Sequence, residues 1–170
     1  MREETYELKT ILDTVSKYKN QQVSKRLIYD QAPIKGIPAK WIIAFFISLP
    51  FIEYAGIFNP WMFNLLGIAQ AIIFFIVFLS MVMIFIVAIT FINNNKVVRQ
   101  ITPSWEKYFP DIDLKMILSS GVTPYKDFFS HYSEAVHQNL KEESLYLFLE
   151  KSFEQMKNEN SDLLEAMNRK

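Results

Sequence analysis

The feature that most constrains this chain is a long apolar stretch in its middle: residues 41–95 hold no Lys or Arg and a single acid, Glu53. Hydropathy of that length and purity reads as membrane-spanning. An Asn59-Pro60 pair divides it. Residues 41–58 would give a helix of roughly 27 Å and residues 61–92 one of nearly 50 Å, against a hydrocarbon core of about 30 Å. The first therefore fits, and the second overshoots. The second span is placed at about 63–92, and its excess is expected in tilt, or in first turns (residues 61–67) lying along the far interface with the other end projecting beyond the near one. A run that begins forty residues into the chain and extends this far is not a cleaved signal peptide.

The flanks set the orientation. Lys25, Arg26, Lys35 and Lys40 precede the apolar stretch, Lys96, Arg99 and Lys107 follow it, and the dividing turn carries no charge. Under the positive-inside rule both termini lie in the cytosol, for which a bacterial inner membrane is the expected setting. Trp41, Tyr54 and Trp61 suit the interfacial aromatic belts.

Among the polar residues inside the apolar stretch, Glu53, Asn64 and Gln70 stand out. A carboxylate in hydrocarbon costs on the order of 3 kcal/mol by insertion scales. Glu53 therefore either snorkels to the far interface, close to the Asn59-Pro60 turn, or meets another helix or an aqueous path. Asn64 and Gln70 would share such a polar contact, and Gly67 would let a second helix approach closely. Pro50, three residues before Glu53, removes a backbone donor and is expected to kink its helix.

Ahead of the apolar stretch, Leu8, Ile11, Leu12, Val15 and Tyr18 recur at spacings of three and four, and Glu3, Glu4 and Glu7 crowd the start. This pattern predicts an amphipathic helix over residues 3–20. Its polar face mixes acids and bases, which favours docking on the chain's own cytosolic part over the membrane surface. Residues 30–40, with two prolines and a glycine, read as an irregular link.

Behind the apolar stretch the punctuation predicts short helices. Thr102-Pro103 starts one that Pro110 ends, residues 111–119 form a second closed by Gly121, and Thr123-Pro124 starts a third bearing Tyr125, Phe128, Phe129, Tyr132 and Val136. Asn139 with Glu142 resembles a capping box for a fourth, whose face carries Leu145, Phe148, Leu149, Phe153 and Met156, with the phase continuing through Leu163, Leu164 and Met167. The expected architecture is an all-α integral membrane protein: a cytosolic arm and linker (1–40), a two-span transmembrane helical hairpin (41–95) and a small helical cytosolic domain (96–170). A domain of about 75 residues is near the lower limit for a self-sufficient core, so docking of the arm or self-association should supply further burial.

Chemistry is sparsely encoded. The chain has no cysteine, which excludes disulfides and thiolate sites, and His131 and His137 are six apart, the wrong spacing for a helical metal pair. Four glycines are too few for a phosphate-cradling loop, and Ser119-Ser120-Gly121 lacks the frame of a nucleophile elbow. Neither catalysis, a metal nor a cofactor is expected, and with equal numbers of acids and bases the chain has no obligatory DNA or RNA partner. Binding remains. For an anionic small ligand or nucleotide the available groups are Lys96, Arg99, Lys107, Lys115, Lys126, His131 and His137, with Tyr125 or Tyr132 to stack on a base.

In architecture alone the chain is similar to small two-span effectors of bacterial antiviral systems, some of which sense cyclic oligonucleotides through a cytosolic domain. What that similarity implies is a non-enzymatic, homo-oligomeric membrane effector or pore-like protein controlled by ligand or partner binding at the cytosolic helices. The alternative is a non-catalytic scaffold subunit of a larger membrane complex, such as a secretion or conjugation machine; a phage holin is a weaker third reading.

Overall fold

A computed structural model describes residues 5–36 and 38–168. The chain is mostly helical: α1 (Leu8–Val15), a hairpin of β1 (Ser16–Lys19) and β2 (Gln22–Lys25), a 3-10 turn at Tyr29–Gln31, then α2 (Ala39–Ile57), α3 (Pro60–Tyr108), α4 (Leu114–Ile117), α5 (Phe128–His137), α6 (Glu142–Glu159) and α7 (Ser161–Asn168). It divides into two compact units. A core unit joins Met1–Ile34 to Val97–Lys170, and an apolar unit comprises Lys35–Lys96.

In the core unit both ends of the chain share one hydrophobic interior. Trp105 sits in its middle, fully buried, with its ring against Phe109, Phe128 and Phe153 at centroid distances of 4.7, 6.3 and 6.1 Å. The indole Nε1–H donates to the Ile112 carbonyl at 2.7 Å, so the largest buried side chain leaves no polar atom orphaned. The amino-terminal arm completes this core: Ile11, Leu12 and Val15 are wholly buried in it, α1 packs on α6, and β2 packs on α5. Polar links run alongside, from the Tyr6 backbone N–H to Ser104 Oγ (3.0 Å) and from the Val23 N–H to Ser133 Oγ (3.3 Å). A domain drawn at 96–170 alone would lack these residues.

The arm departs from the single helix expected over residues 3–20. Glu3 and Glu4 lie outside the described residues. The helix stops at Val15, and Ser16 Oγ turns back to the Leu12 carbonyl at 2.7 Å. The chain then reverses through Asn20 and Gln21, both left-handed (φ 52° and 61°), the geometry of a two-residue hairpin turn. Tyr18 consequently belongs to a strand, pairs with Val23 and is exposed.

Carboxy-terminal punctuation is also rearranged. Pro103 does not start a helix but lies inside α3, where Thr102 Oγ1 bonds the Val98 carbonyl (2.8 Å). The helix expected over residues 111–119 shortens to α4, capped by Asp113, whose Oδ1 accepts from Lys115 N at 2.8 Å. The third begins only at Phe128, after a turn in which Thr123 Oγ1 accepts from the Tyr125 N–H (3.3 Å). Asn139 ends α5 instead of starting α6: it is left-handed (φ 53°), its N–H reaches the Val136 carbonyl and the Leu140 N–H reaches Ala135, the paired bonds of a Schellman stop. The cap of α6 is Lys141, with Ser144 Oγ accepting from its N–H at 3.2 Å. The buried face of α6 is the expected one, with Leu145, Leu149, Phe153 and Met156 buried and Phe148 partly so.

The apolar unit contains two helices long and apolar enough to cross a membrane. Pro50 is accommodated inside α2. Asn59 caps α3 through Oδ1, which accepts from Trp61 N and Met62 N (3.1 and 3.0 Å), and Pro60 takes the first helical position, where a missing N–H costs nothing. Gly67 breaks α3, with φ 73° and ψ 164°, a conformation open essentially to glycine alone. Gly67 thus serves as a backbone break, and residues 61–66 form a separate short turn of helix. Phe46 stacks on Phe85 at 6.1 Å, and Tyr54 and Phe58 both meet Phe75 at 6.3 and 6.2 Å.

Candidate functional site: a mixed-charge cavity

In the core unit a cavity of about 640 Å³ opens where three segments meet. The first turn of α1 contributes Glu7, Leu8 and Lys9, the end of α3 contributes Lys107 and Tyr108, and the start of α6 contributes Lys141, Glu142, Glu143, Leu145 and Tyr146. The volume lies within the range of small-molecule sites. Leu8 and Leu145 are buried and belong to the hydrophobic core. The Tyr108 and Tyr146 rings lie 6.5 Å apart at 46°, and Tyr146 also stacks on Phe109 at 5.4 Å. Tyr146 O–H donates to Glu150 Oε1 at 3.0 Å; that bond, ahead of burial and the Glu150 charge, holds its phenol above the usual value. Lys107 Nζ donates to Thr5 Oγ1 at 2.9 Å. The lining balances three lysines against three glutamates.

A second hollow of about 490 Å³ lies between the hairpin tip and α5. His137 Nε2 there sits 2.7 Å from the Gln21 carbonyl, which requires that this nitrogen donate, and Tyr18 approaches the ring edge-on at 6.4 Å.

The residues singled out from the sequence are not gathered into one place. Lys107 lines the first cavity and His137 the second. Arg99, Lys115 and Lys126 are exposed at separate positions of the core unit and His131 is half-buried, while Lys96 is exposed at the end of the apolar unit. The stacking role expected of Tyr125 and Tyr132 is overturned, because both rings are buried: Tyr125 meets Phe153 edge-on at 5.6 Å and Tyr132 stacks with Phe128 at 6.4 Å. Burial raises both phenols; Asp111 adds to it at Tyr125, and at Tyr132 Asp13 adds both its charge and the hydrogen bond it accepts from the phenol O–H at 3.4 Å. Lys9 and Lys141, missed by sequence reasoning, are the cations that join Lys107.

In the apolar unit Asn64 and Gln70 are exposed. Glu53 is half-buried, and its Oε2 is covered by protein without a hydrogen-bond partner, so this atom is not joined to either amide. Compared with protein-family models, with curated proteins and with solved structures, the chain finds no match.

Proposed function

We propose that this chain is a non-enzymatic integral membrane protein whose α2 and α3 cross the bilayer as an antiparallel hairpin, with both flanks in the cytosol. The observation that carries the reading is the shared core of the two flanks. Ile11, Leu12 and Val15 are buried with Trp105, Phe128 and Phe153, so the segments before and after the apolar unit must lie on the same side of any membrane between them. Two crossings satisfy that, and one does not. Exposure supports the same conclusion: none of the most apolar window of α2 and 6% of that of α3 is buried, whereas a water-soluble core helix of this composition would be covered. The ring pairs Phe46–Phe85 and Tyr54–Phe75, rising in one helix and falling in the other, fit antiparallel spans. With the break at Gly67, residues 68–92 give a span of roughly 37 Å, which a moderate tilt fits to a core of about 30 Å.

Copies of the chain assemble into a membrane effector whose hairpins respond to a ligand or partner bound at the core unit. The cavity among α1, α3 and α6 supports this, since an occupant would press on the arm and the carboxy-terminal helices together. Its balance of lysine and glutamate favours a ligand carrying both signs of charge, with an apolar or aromatic body, over a polyanion such as a nucleotide. The test is the mass of the full chain in detergent, paired with dye release from vesicles. A discrete homo-oligomer that releases dye supports the effector. A monomer that leaves vesicles sealed and copurifies with other membrane proteins supports the scaffold reading instead.

A further inference from the structure

Among the described residues of the core unit, six large apolar side chains are exposed, and the two most exposed are Val122 (84%) and Leu27 (76%). They are far apart in sequence, yet the structure ties their segments together. Lys25 Nζ donates to the Leu118 carbonyl and, at 3.4 Å, to Ser120 Oγ, so the strand end that leads into Leu27 and Ile28 is fastened to the loop that carries Val122. The first segment is held firmly behind them. Arg26 N–H donates to the Val15 carbonyl (2.8 Å), its guanidinium reaches the Ser16 and Asp13 carbonyls (3.1 and 3.3 Å), and Tyr29, Ala32 and Ile34 are buried just beyond. Apolar groups are thus presented to solvent on anchored backbone.

We infer that Leu27, Ile28 and Val122 form a lipid-dipping edge that seats the core unit on the bilayer surface, an inference that rests on the membrane reading above. Chain length favours lipid as the occupant. Ile34, the last buried residue of the arm, is five residues from Ala39, where α2 begins, and five residues reach at most about 18 Å. The arm that carries Leu27 and Ile28 therefore ends within a short link of the start of α2. Lys35 on the link and Lys40 in the first turn of α2 are both exposed, and cations where a chain enters the membrane suit the anionic lipids of a cytoplasmic leaflet.

The absence of cysteine makes a site-by-site test direct. Leu27→Cys, Val122→Cys, Leu147→Cys and Phe45→Cys are made singly in the full chain, labelled with a polarity-sensitive fluorophore and reconstituted into vesicles of mixed neutral and anionic phospholipid. Leu147 is exposed on α6 and reports water; Phe45 is exposed on α2 and reports the span. Probes at residues 27 and 122 should emit to the blue of the one at residue 147, and lipid carrying a shallow nitroxide should quench them at least threefold more strongly. If they match residue 147 while residue 45 is quenched, the edge does not touch lipid and the inference is overturned with the membrane reading intact. An unquenched probe at residue 45 overturns that reading, and the inference with it. Blue-shifted but unquenched probes at residues 27 and 122 mean that protein, such as a second copy, covers the edge, which also overturns it.

Discussion

Replacing Ile11 by Ala removes three carbons from a side chain with no solvent exposure, in the middle of the α1 face. At about 0.8 kcal/mol per buried methylene the transfer loss is roughly 2.4 kcal/mol, and the unfilled space raises the cost to about 3 kcal/mol. A unit of about 100 residues is stabilised by roughly 5–15 kcal/mol, so a large fraction is lost. Because the arm and the carboxy-terminal helices share one core, the cost must appear far away in sequence. Amides of α5 and α6 that exchange only by global unfolding should exchange about a hundredfold faster, following the tenfold change per 1.4 kcal/mol. Mass-spectrometric hydrogen exchange on the full chain in detergent measures this, with Tyr18→Ser, an exposed strand position, as the control expected to change little. Unchanged exchange in α5 and α6 for Ile11→Ala would mean that those helices fold without the arm, and the argument from a shared core would fail.

Four further outcomes follow from particular contacts. Trp105→Phe removes the donor to the Ile112 carbonyl and should cost about 1–3 kcal/mol in urea unfolding, whereas a loss under about 0.5 kcal/mol would mean that this bond contributes nothing. Gly67→Ala finds room for its methyl, the nearest atom being Gln70 Oε1 at 3.5 Å, but not for its backbone; a loss of about 1–3 kcal/mol in thermal unfolding is expected, and wild-type stability would refute the break. Burial, partly offset by the Arg26 charge, raises the Tyr29 phenol to about 12 in the folded chain, against roughly 10 when unfolded. Its contribution is therefore complete below about pH 10 and lost as pH rises toward 12, so Tyr29→Phe should flatten that part of a stability–pH curve, and an unaltered curve would count against the shift. Glu53→Gln should leave the oligomer mass in detergent unchanged, because Oε2 is covered within the chain; a changed mass would put the carboxyl at a contact between copies.

The sequence was most legible where one periodic signal acted alone. The four-four-three spacing of Leu145, Leu149, Phe153 and Met156 matched the buried face of α6, and the absence of charge from residues 41–95, apart from Glu53, marked two helices apolar enough to span a membrane. It misled where two signals coincided. Tyr18 extends the three-four spacing of α1, yet Val15, Ser16 and Tyr18 also suit a strand, and the Asn20-Gln21 turn lacks the glycine that usually marks a tight hairpin. Pro103 resembles a helix start because Thr-Pro is a common opening of a helix, whereas here α3 continues through it past the end of the apolar stretch, and Asn139 resembles an N-cap because asparagine serves both helix ends. Tyr125 and Tyr132 were read as ring surfaces for a ligand, but spacing alone does not separate an exposed aromatic from a core one. The cavity lay beyond reach for a different reason: Lys9, Lys107 and Lys141 come from three separated segments, and only the fold brings them to one place.

Sidedness is the most direct test of the hairpin. Single cysteines at Tyr18, Leu147 and Pro60, all exposed, are introduced into the otherwise cysteine-free chain in sealed, oriented membrane vesicles and treated with a membrane-impermeant thiol reagent. Residues 18 and 147 should label from one face and residue 60 only from the other. Labelling of all three from the same face, or of 18 and 147 from opposite faces, would contradict the account.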